Sequence, residues 1–220
     1  QPQLRVAVLV GEGKHFCAGA DIALLEDLRR IGSSHGCAAE ARDAVRREIR
    51  VLQSALTAIE QLRIPVIAAV HGACIGAGVD LIAACDLRYA AADARFCIKE
   101  VDMAIVADVG TLQRLRHVIG LPTLGELAYT AETFSATRAH EIGLIASPYE
   151  SRETLFAEVE NLARRIASKP ALTVRGIKHN LLYARDHTVA DALDYVATWN
   201  ASAILSEDME RALQLARDVI

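Results

Sequence analysis

The chain of 220 residues lacks the features that mark membrane-spanning, disulfide-rich and zinc-binding proteins. No apolar run approaches the roughly 18 residues of a membrane span. The five cysteines are odd in number, irregularly spaced and without a C-x-x-C pair, which argues against a disulfide framework or a structural zinc site. We therefore expect small buried thiols in a reducing compartment, no metal and no membrane partner.

An excess of basic residues is also missing, because 24 Lys and Arg stand against 28 Asp and Glu, for a formal net charge of −4. The chain therefore has no overall excess of positive charge with which to bind a nucleic acid. The arginines Arg42, Arg46, Arg47 and Arg50 alternate with acids, a pattern typical of a solvated helix face. We predict no nucleic-acid partner.

The signatures of several common chemistries are absent as well. The sequence has no G-x-x-x-x-G-K-[ST], no G-x-S-x-G and no H-E-x-x-H, and the pair Gly11 and Gly13 lacks the third glycine of a dinucleotide-binding fingerprint. The histidines are scattered, and we interpret His71 as structural. These absences argue against phosphate-loop, serine-nucleophile and metallopeptidase chemistry.

Hydrophobic patterning predicts an α/β protein of one domain, residues 1–220. Short apolar runs indicate strands early in the chain, at residues 4–10, 65–70, 87–89 and 95–98. Helical spacing indicates helices at residues 39–62, 79–84, 110–118, 121–129, 136–142, 152–168 and 170–220, the last with a break near Asp186. Ser135 is an expected N-cap, and Thr188 with Asp191 an expected capping box. The order predicts β-β-α or β-α units over residues 1–150 and a helical region over residues 151–220.

Two glycine-rich loops each follow an apolar strand. The first is Cys17-Ala18-Gly19-Ala20-Asp21 and the second is Gly76-Ala77-Gly78. Small residues allow backbone N–H groups to approach a ligand closely. Each loop alone is compatible with a plain tight turn, but two such loops could aim one N–H each at a single oxygen, as in an oxyanion hole.

Three carboxyls stand out near these loops. Asp80 follows the second loop by two residues, and Glu100 and Asp108 flank a largely apolar segment, residues 101–107. Carboxyls beside apolar chain are expected to have raised pKa values, which suits proton transfer near neutral pH. The alternatives are a helix-dipole partner for Asp80 and ordinary surface acids for the other two. Asp86 is interpreted as structural.

The motifs resemble the crotonase, or enoyl-CoA hydratase/isomerase, superfamily. The resemblance rests on residues 16–22 (FCAGADI) and 65–86 (PVIAAVHGACIGAGVDLIAACD) and covers nearly the whole chain. Residues 99–115 and 180–200 resemble one branch in particular, the Δ3,5-Δ2,4-dienoyl-CoA isomerases. This resemblance implies a crotonase-like spiral of β-β-α units with a C-terminal helical trimerisation region, and trimers that often pair into hexamers. It also implies two or three further strands before residue 1.

The resemblance assigns roles to individual residues. Asp108 and Glu100 would exchange protons with the substrate and Asp80 would support them, while the N–H groups of Ala18 and Ala77 would bind the thioester oxygen. The family usually has Gly where this chain has Ala77. Loop residues Gly19, Ala20, Asp21 and Gly76 would help to bind the acyl-CoA, and no cofactor would be needed, since CoA is part of the substrate.

Several alternatives stay open at this point. A 2-enoyl-CoA hydratase of this family usually has Glu at both the Asp80 and Glu100 positions, and a Δ3-Δ2-enoyl-CoA isomerase could use Glu100 alone. A non-catalytic, RNA-binding protein of the same fold is the alternative from another class. The Ala- and Arg-rich composition without a targeting signal favours a bacterial cytosol, and the mitochondrial or peroxisomal matrix is the alternative compartment.

Overall fold

The computed structural model describes residues 4–34 and 36–218, which fall into two compact units. The first unit comprises residues 8–62 and 66–160. The second comprises the described residues before Val8, residues 63–65 and the described residues after Glu160. No helix in the described part of the chain is long and apolar enough to cross a membrane.

The first unit is built on two small sheets. The larger has the strand order β1-β2-β4-β7 and the smaller β3-β5-β6, from strands β1 Ala7–Val10, β2 Val66–Val70, β3 Ala73–Ile75, β4 Leu87–Ala91, β5 Arg95–Cys97, β6 Phe134–Ser135 and β7 Pro148–Tyr149. Strands β2, β4 and β7 are parallel, as are β3 and β5, whereas β5 and β6 are antiparallel. All five residues of β2 are buried, so this strand forms the centre of the core.

Seven helices accompany these strands. They are α1 Ile22–Ser33, α2 Ala38–Glu60, α3 Ala77–Ala83, α4 Thr111–Leu115, α5 Leu121–Thr130, α6 Ala136–Glu141 and α7 Arg152–Ala167, together with a 3₁₀ helix at Glu100–Met103. The run β2-β3-α3 is a β-β-α unit, as predicted. Ser135 caps α6 by accepting a hydrogen bond from the Arg138 N–H, which confirms the expected N-cap.

The second unit is helical, with α8 Ala171–Asp186, α9 Val189–Ala203 and α10 Glu207–Asp218. The break predicted near Asp186 is present, and the expected capping box forms at Thr188 and Asp191. A second break, between Ala203 and Glu207, was not predicted. Positions 219–220 of the predicted helical region lie outside the described residues.

The α/β prediction is confirmed: among the described residues, five of the seven strands lie before residue 98 and seven of the ten α-helices lie after it. Cys74, Cys85 and Cys97 are buried as expected, although Cys37 is exposed. Asp86 is structural as interpreted, because its carboxylate accepts a hydrogen bond from the Val66 N–H at 2.7 Å. Helix α1 was not predicted at all. The single-domain boundaries stay a prediction.

Candidate active site

The two glycine-rich loops lie side by side because backbone hydrogen bonds join them. The Cys17 N–H donates to the Ala73 carbonyl, and the Ile75 N–H donates to the Cys17 carbonyl, both at 2.9 Å. A Cβ atom at Gly78 would stand 2.9 Å from the Cys17 Cβ, so only glycine allows this approach. The arrangement brings the residues after Cys17 and after Ile75 to one edge of the sheets.

Ala18 and Ala77 each present an unused backbone donor at this edge. Neither N–H makes a hydrogen bond within the described part of the chain. Ala77 is the first residue of α3 and follows Gly76, whose φ of 49° belongs to the left-handed region that favours glycine. Because an alanine keeps its N–H, the substitution at the usual glycine position leaves the donor in place.

A cavity of about 800 Å³ opens in front of both loops. Its walls are mainly aliphatic side chains of the two long helices, Leu24, Leu25 and Leu28 from α1 and Val45, Ile49, Leu52 and Leu56 from α2. The charged residues of the lining are the three predicted carboxyls, Asp80, Glu100 and Asp108, with Arg29 and Lys99. The loop residues Ala18, Gly19, Ala20, Gly76 and Ala77 also line the cavity. A mostly apolar pocket with few polar groups is typical of small-molecule sites.

Asp80 is the most deeply buried of the three carboxyls, with 1% of its surface exposed. Its Oδ1 accepts two hydrogen bonds from Thr111, one from the backbone N–H and one from the hydroxyl, both at 2.7 Å. Its Oδ2 is buried and has no hydrogen-bond partner among the described residues. Burial raises the pKa of Asp80, the Thr111 hydrogen bonds lower it, and the nearby Asp108 charge raises it.

Glu100 is half-buried at the start of the 3₁₀ helix. A Cβ atom at Gly76 would lie 3.3 Å from its Oε1, so the carboxyl packs against the second loop. Its Oε2 is buried without a hydrogen-bond partner in the described part of the chain. Burial raises the pKa of Glu100, and the charges of Asp80 and Asp108 raise it further.

Asp108 completes the set from the segment that leads into α4. Burial raises its pKa above the usual range of an aspartate. Its backbone carbonyl accepts a hydrogen bond from the Gln53 side-chain amide at 2.7 Å. The cavity therefore holds three carboxyls whose protonated forms are favoured and whose charges repel, which is the arrangement expected of groups that take up and release protons.

Three other polar residues, Asp21, Asp102 and His71, have structural or surface environments. Asp21 is not in the cavity lining, and its side chain caps α1 by accepting a hydrogen bond from the Ala23 N–H at 2.9 Å. Asp102 pairs with Lys99 on the surface. The ring of His71 is buried, with one nitrogen 3.2 Å from the Gly13 carbonyl and the ring edge against Phe156, a structural environment.

Part of the site was not predicted from the sequence. Helix α1 contributes three leucines to the cavity, and Asp21 followed by leucines at helical spacing was a local signal for it. Gln53, Thr111 and Arg114 support the carboxyls through hydrogen bonds that no local pattern indicates.

Comparison with known proteins agrees with this geometry. The family model described as Enoyl-CoA hydratase/isomerase matches residues 1–215. The peroxisomal Δ(3,5)-Δ(2,4)-dienoyl-CoA isomerase of Arabidopsis thaliana is 48% identical over 212 residues, covering 96% of this chain and 76% of that protein. The mitochondrial human protein of the same name is 43% identical over 220 residues, covering 96% of this chain and 64% of its own length.

Among solved structures, the enoyl-CoA hydratase of Bacillus anthracis matches with a TM-score of 0.83 and 30% identity, over 97% of this chain and 78% of that one. The fold is thus the crotonase fold of that enzyme. The chain belongs to the enoyl-CoA hydratase/isomerase family.

Proposed function

We propose that this chain is an isomerase that converts a 3,5-dienoyl-CoA into a 2,4-dienoyl-CoA in fatty-acid oxidation. The observation that carries the proposal is the set of three carboxyls, one buried and two half-buried, that line one apolar cavity beside two unused backbone donors. The dienoyl-CoA isomerases of Arabidopsis thaliana and human support it by their similarity to this chain.

The chemistry divides into two proton transfers. Asp108 removes a proton from C2 of the substrate, which leaves a dienolate with negative charge on the thioester oxygen. The N–H groups of Ala18 and Ala77 stabilise that charge, and one such donor is typically worth roughly 2.7–4 kcal/mol of barrier. Glu100 then delivers a proton at C6, and the double bonds have moved without any change of oxidation state.

The raised pKa values fit these roles. Burial disfavours the charged form, so it makes the Asp108 carboxylate a stronger base and raises the pKa of Glu100, which is the direction that a proton donor needs. Asp80 supports the pair through its charge and through Thr111. We propose that no cofactor takes part, because the carboxyls account for both proton transfers and CoA belongs to the substrate.

The test is a direct assay with 3,5-octadienoyl-CoA, in which the conjugated 2,4-diene is followed by ultraviolet absorbance. Wild-type enzyme is expected to produce the diene, and Asp108→Asn is expected to lose about 100-fold or more of kcat, since general-base catalysis typically contributes 10²–10⁴-fold. Crotonyl-CoA hydration is measured in parallel. No diene formation, hydration faster than isomerisation, or full activity in Asp108→Asn would contradict the proposal.

We also propose that the chain assembles into homotrimers or homohexamers. In the second unit, α8 and α9 carry the exposed apolar side chains Ile177, Leu181, Val189 and Leu193. Exposed apolar clusters of this kind mark protein interfaces.

For the compartment, we propose the peroxisomal or mitochondrial matrix rather than the cytosol expected from composition. The similar proteins from Arabidopsis thaliana and human are named peroxisomal and mitochondrial, respectively. Fractionation of the source cells with an antibody against the full-length protein tests this, and recovery in the cytosol alone would contradict it.

A further inference from the structure

The four residues from Asp108 to Thr111 are held by the nearby Arg114 and by two side chains far away in the sequence, Gln53 and Asp80. On one side, the Gln53 amide donates to the Asp108 carbonyl at 2.7 Å and an Arg114 Nη donates to the Val109 carbonyl at 3.1 Å. On the other side, the Thr111 N–H and hydroxyl donate to Asp80. Each end of the segment is therefore tied to a different helix, α2 or α3.

Arg114 is itself fixed by α2. Its Nε donates to the Glu60 carboxylate at 3.1 Å, and its other Nη donates to the Thr57 hydroxyl at 3.0 Å. The two charged side chains are only 11% and 12% exposed. A buried ion pair of this kind contributes little net stability, because desolvation offsets the attraction, but it holds its partners in one geometry.

The backbone between these contacts includes a glycine, Gly110, in a conformation that other residues rarely adopt. Gly110 has φ of 134°, which side chains rarely adopt, and a Cβ atom there would overlap the Arg114 guanidinium. The glycine thus lets the guanidinium lie against the backbone just after Asp108. These contacts fix the backbone at and directly after Asp108.

We propose that Gln53 and the Glu60–Arg114 pair are positioning residues that hold Asp108 at the distance from Asp80 and Glu100 that proton transfer needs. This proposal rests on the proposed isomerase function for its kinetic consequences. None of these three residues exchanges a proton with the substrate. Gln53 and Arg114 contact the backbone of the Asp108–Thr111 segment, and Glu60 acts by fixing Arg114. The charge of Arg114 also lowers the pKa of Asp80.

The main variant is Gln53→Met, which keeps the length of the side chain and removes the donor. Displacement of a catalytic group by about 1 Å can cost on the order of 100-fold in rate. We expect kcat for the 3,5-dienoyl-CoA to fall by roughly 10- to 100-fold while KM stays within about threefold. The acid limb of the pH profile should also move, because the coupling of Asp108 to Asp80 and Glu100 depends on their separation.

The matched control is Gln61→Met, the same change at an exposed position just after the end of α2. It should leave kcat and the pH profile at wild-type values. Arg114→Lys keeps the positive charge but cannot reach Glu60, Thr57 and Val109 together, and it should reproduce the loss of kcat. Glu60→Gln keeps an acceptor for the Arg114 Nε and should lose less than Arg114→Lys.

A readout without substrate separates this proposal from the proposed function. Carboxyl ¹³C NMR resolves the titration of Asp108, assigned by its absence in Asp108→Asn, in wild type and in Gln53→Met. An altered titration in Gln53→Met but not in Gln61→Met supports the positioning role even if wild type fails to isomerise the dienoyl-CoA. Unchanged titration and unchanged kcat in both Gln53→Met and Arg114→Lys would overturn it.

Discussion

The burial of Asp80, Glu100 and Asp108 has two effects. It raises the pKa values that proton transfer requires, and it lowers the free energy of unfolding. Two of their carboxylate oxygens, on Asp80 and Glu100, are buried without a hydrogen-bond partner among the described residues. A carboxylate in that condition loses hydration that the protein does not replace. The raised pKa values that proton transfer requires are the direct result. Function and folding free energy therefore oppose each other at these residues.

The destabilising effect of the buried Glu100 carboxylate leads to a prediction for the variant Glu100→Gln. Because the pKa of Glu100 is raised in the folded state, ionisation destabilises the fold, and wild-type stability falls as pH rises from the unfolded pKa through the folded pKa. The variant lacks this penalty, so its Tm should exceed that of wild type at pH 7.5. The difference should disappear near pH 4, where Glu100 is protonated in both states.

Thermal unfolding followed by circular dichroism at several pH values measures this, with a sensitivity of roughly 2–4 °C per kcal/mol for a chain of this size. Asp102→Asn is the control, since this acid lies in the same 3₁₀ helix but pairs with Lys99 at the surface. A lower Tm for Glu100→Gln than for wild type at pH 7.5 would contradict the account.

Helices α8 and α9 pack closely at one point, where α8 has a glycine and leaves no room for a side chain. Gly176 lies in α8, and a Cβ atom there would stand 2.3 Å from the Trp199 Nε1 in α9. The Trp199 ring lies against His179, and Tyr195 stacks on His179 and Tyr183. Tyr195 and Trp199 therefore serve the packing of the two helices.

Gly176→Ala is therefore expected to destabilise the protein by about 1–3 kcal/mol, the usual cost of overpacking. This loss outweighs the gain of roughly 0.5–1 kcal/mol that alanine brings to a helix interior. Gly125→Ala in α5 is the matched control, because its Cβ would meet only the exposed Tyr129 ring at 3.3 Å. Urea unfolding measures both, and an equal or higher stability for Gly176→Ala would contradict the packing argument.

The exposed apolar side chains of α8 and α9 lead to a prediction about the oligomeric state of the protein. Leu181 and Leu193 are 69% and 63% exposed in the single chain. Burial of such side chains is worth about 1.5–3 kcal/mol each. We expect sedimentation analysis to give three or six times the monomer mass for wild type, and a smaller species for Leu181→Glu/Leu193→Glu.

Leu121→Glu is the control for this measurement, since Leu121 is 67% exposed and lies in the first unit. It should keep the wild-type mass. A monomeric wild-type protein at micromolar concentration, or equal dissociation in the control, would contradict assembly through α8 and α9.

Local signals predicted much of the fold. The spacing of apolar residues over 39–62 predicted α2 nearly to its ends, and Thr188 with Asp191 predicted the start of α9. The prediction was incomplete in two places. It missed α1, although Asp21 was a local signal for that helix, and it missed the second C-terminal break, for which no signal was present. The three carboxyls stood out only modestly by themselves, and the family resemblance assigned their roles.

The amino-acid sequence alone determined the fold class, most helix boundaries and the absence of several catalytic signatures, because these depend on residues within a few turns of one another. The tertiary structure decided what the three acids share. Asp80, Glu100 and Asp108 enter one cavity only because α2, α3 and both glycine loops pack around them. Their raised pKa values come from that burial, and the support of Asp108 by Gln53 joins residues 55 positions apart. Desolvation and long-range hydrogen bonds exist only once the chain is packed, so no local pattern could indicate them.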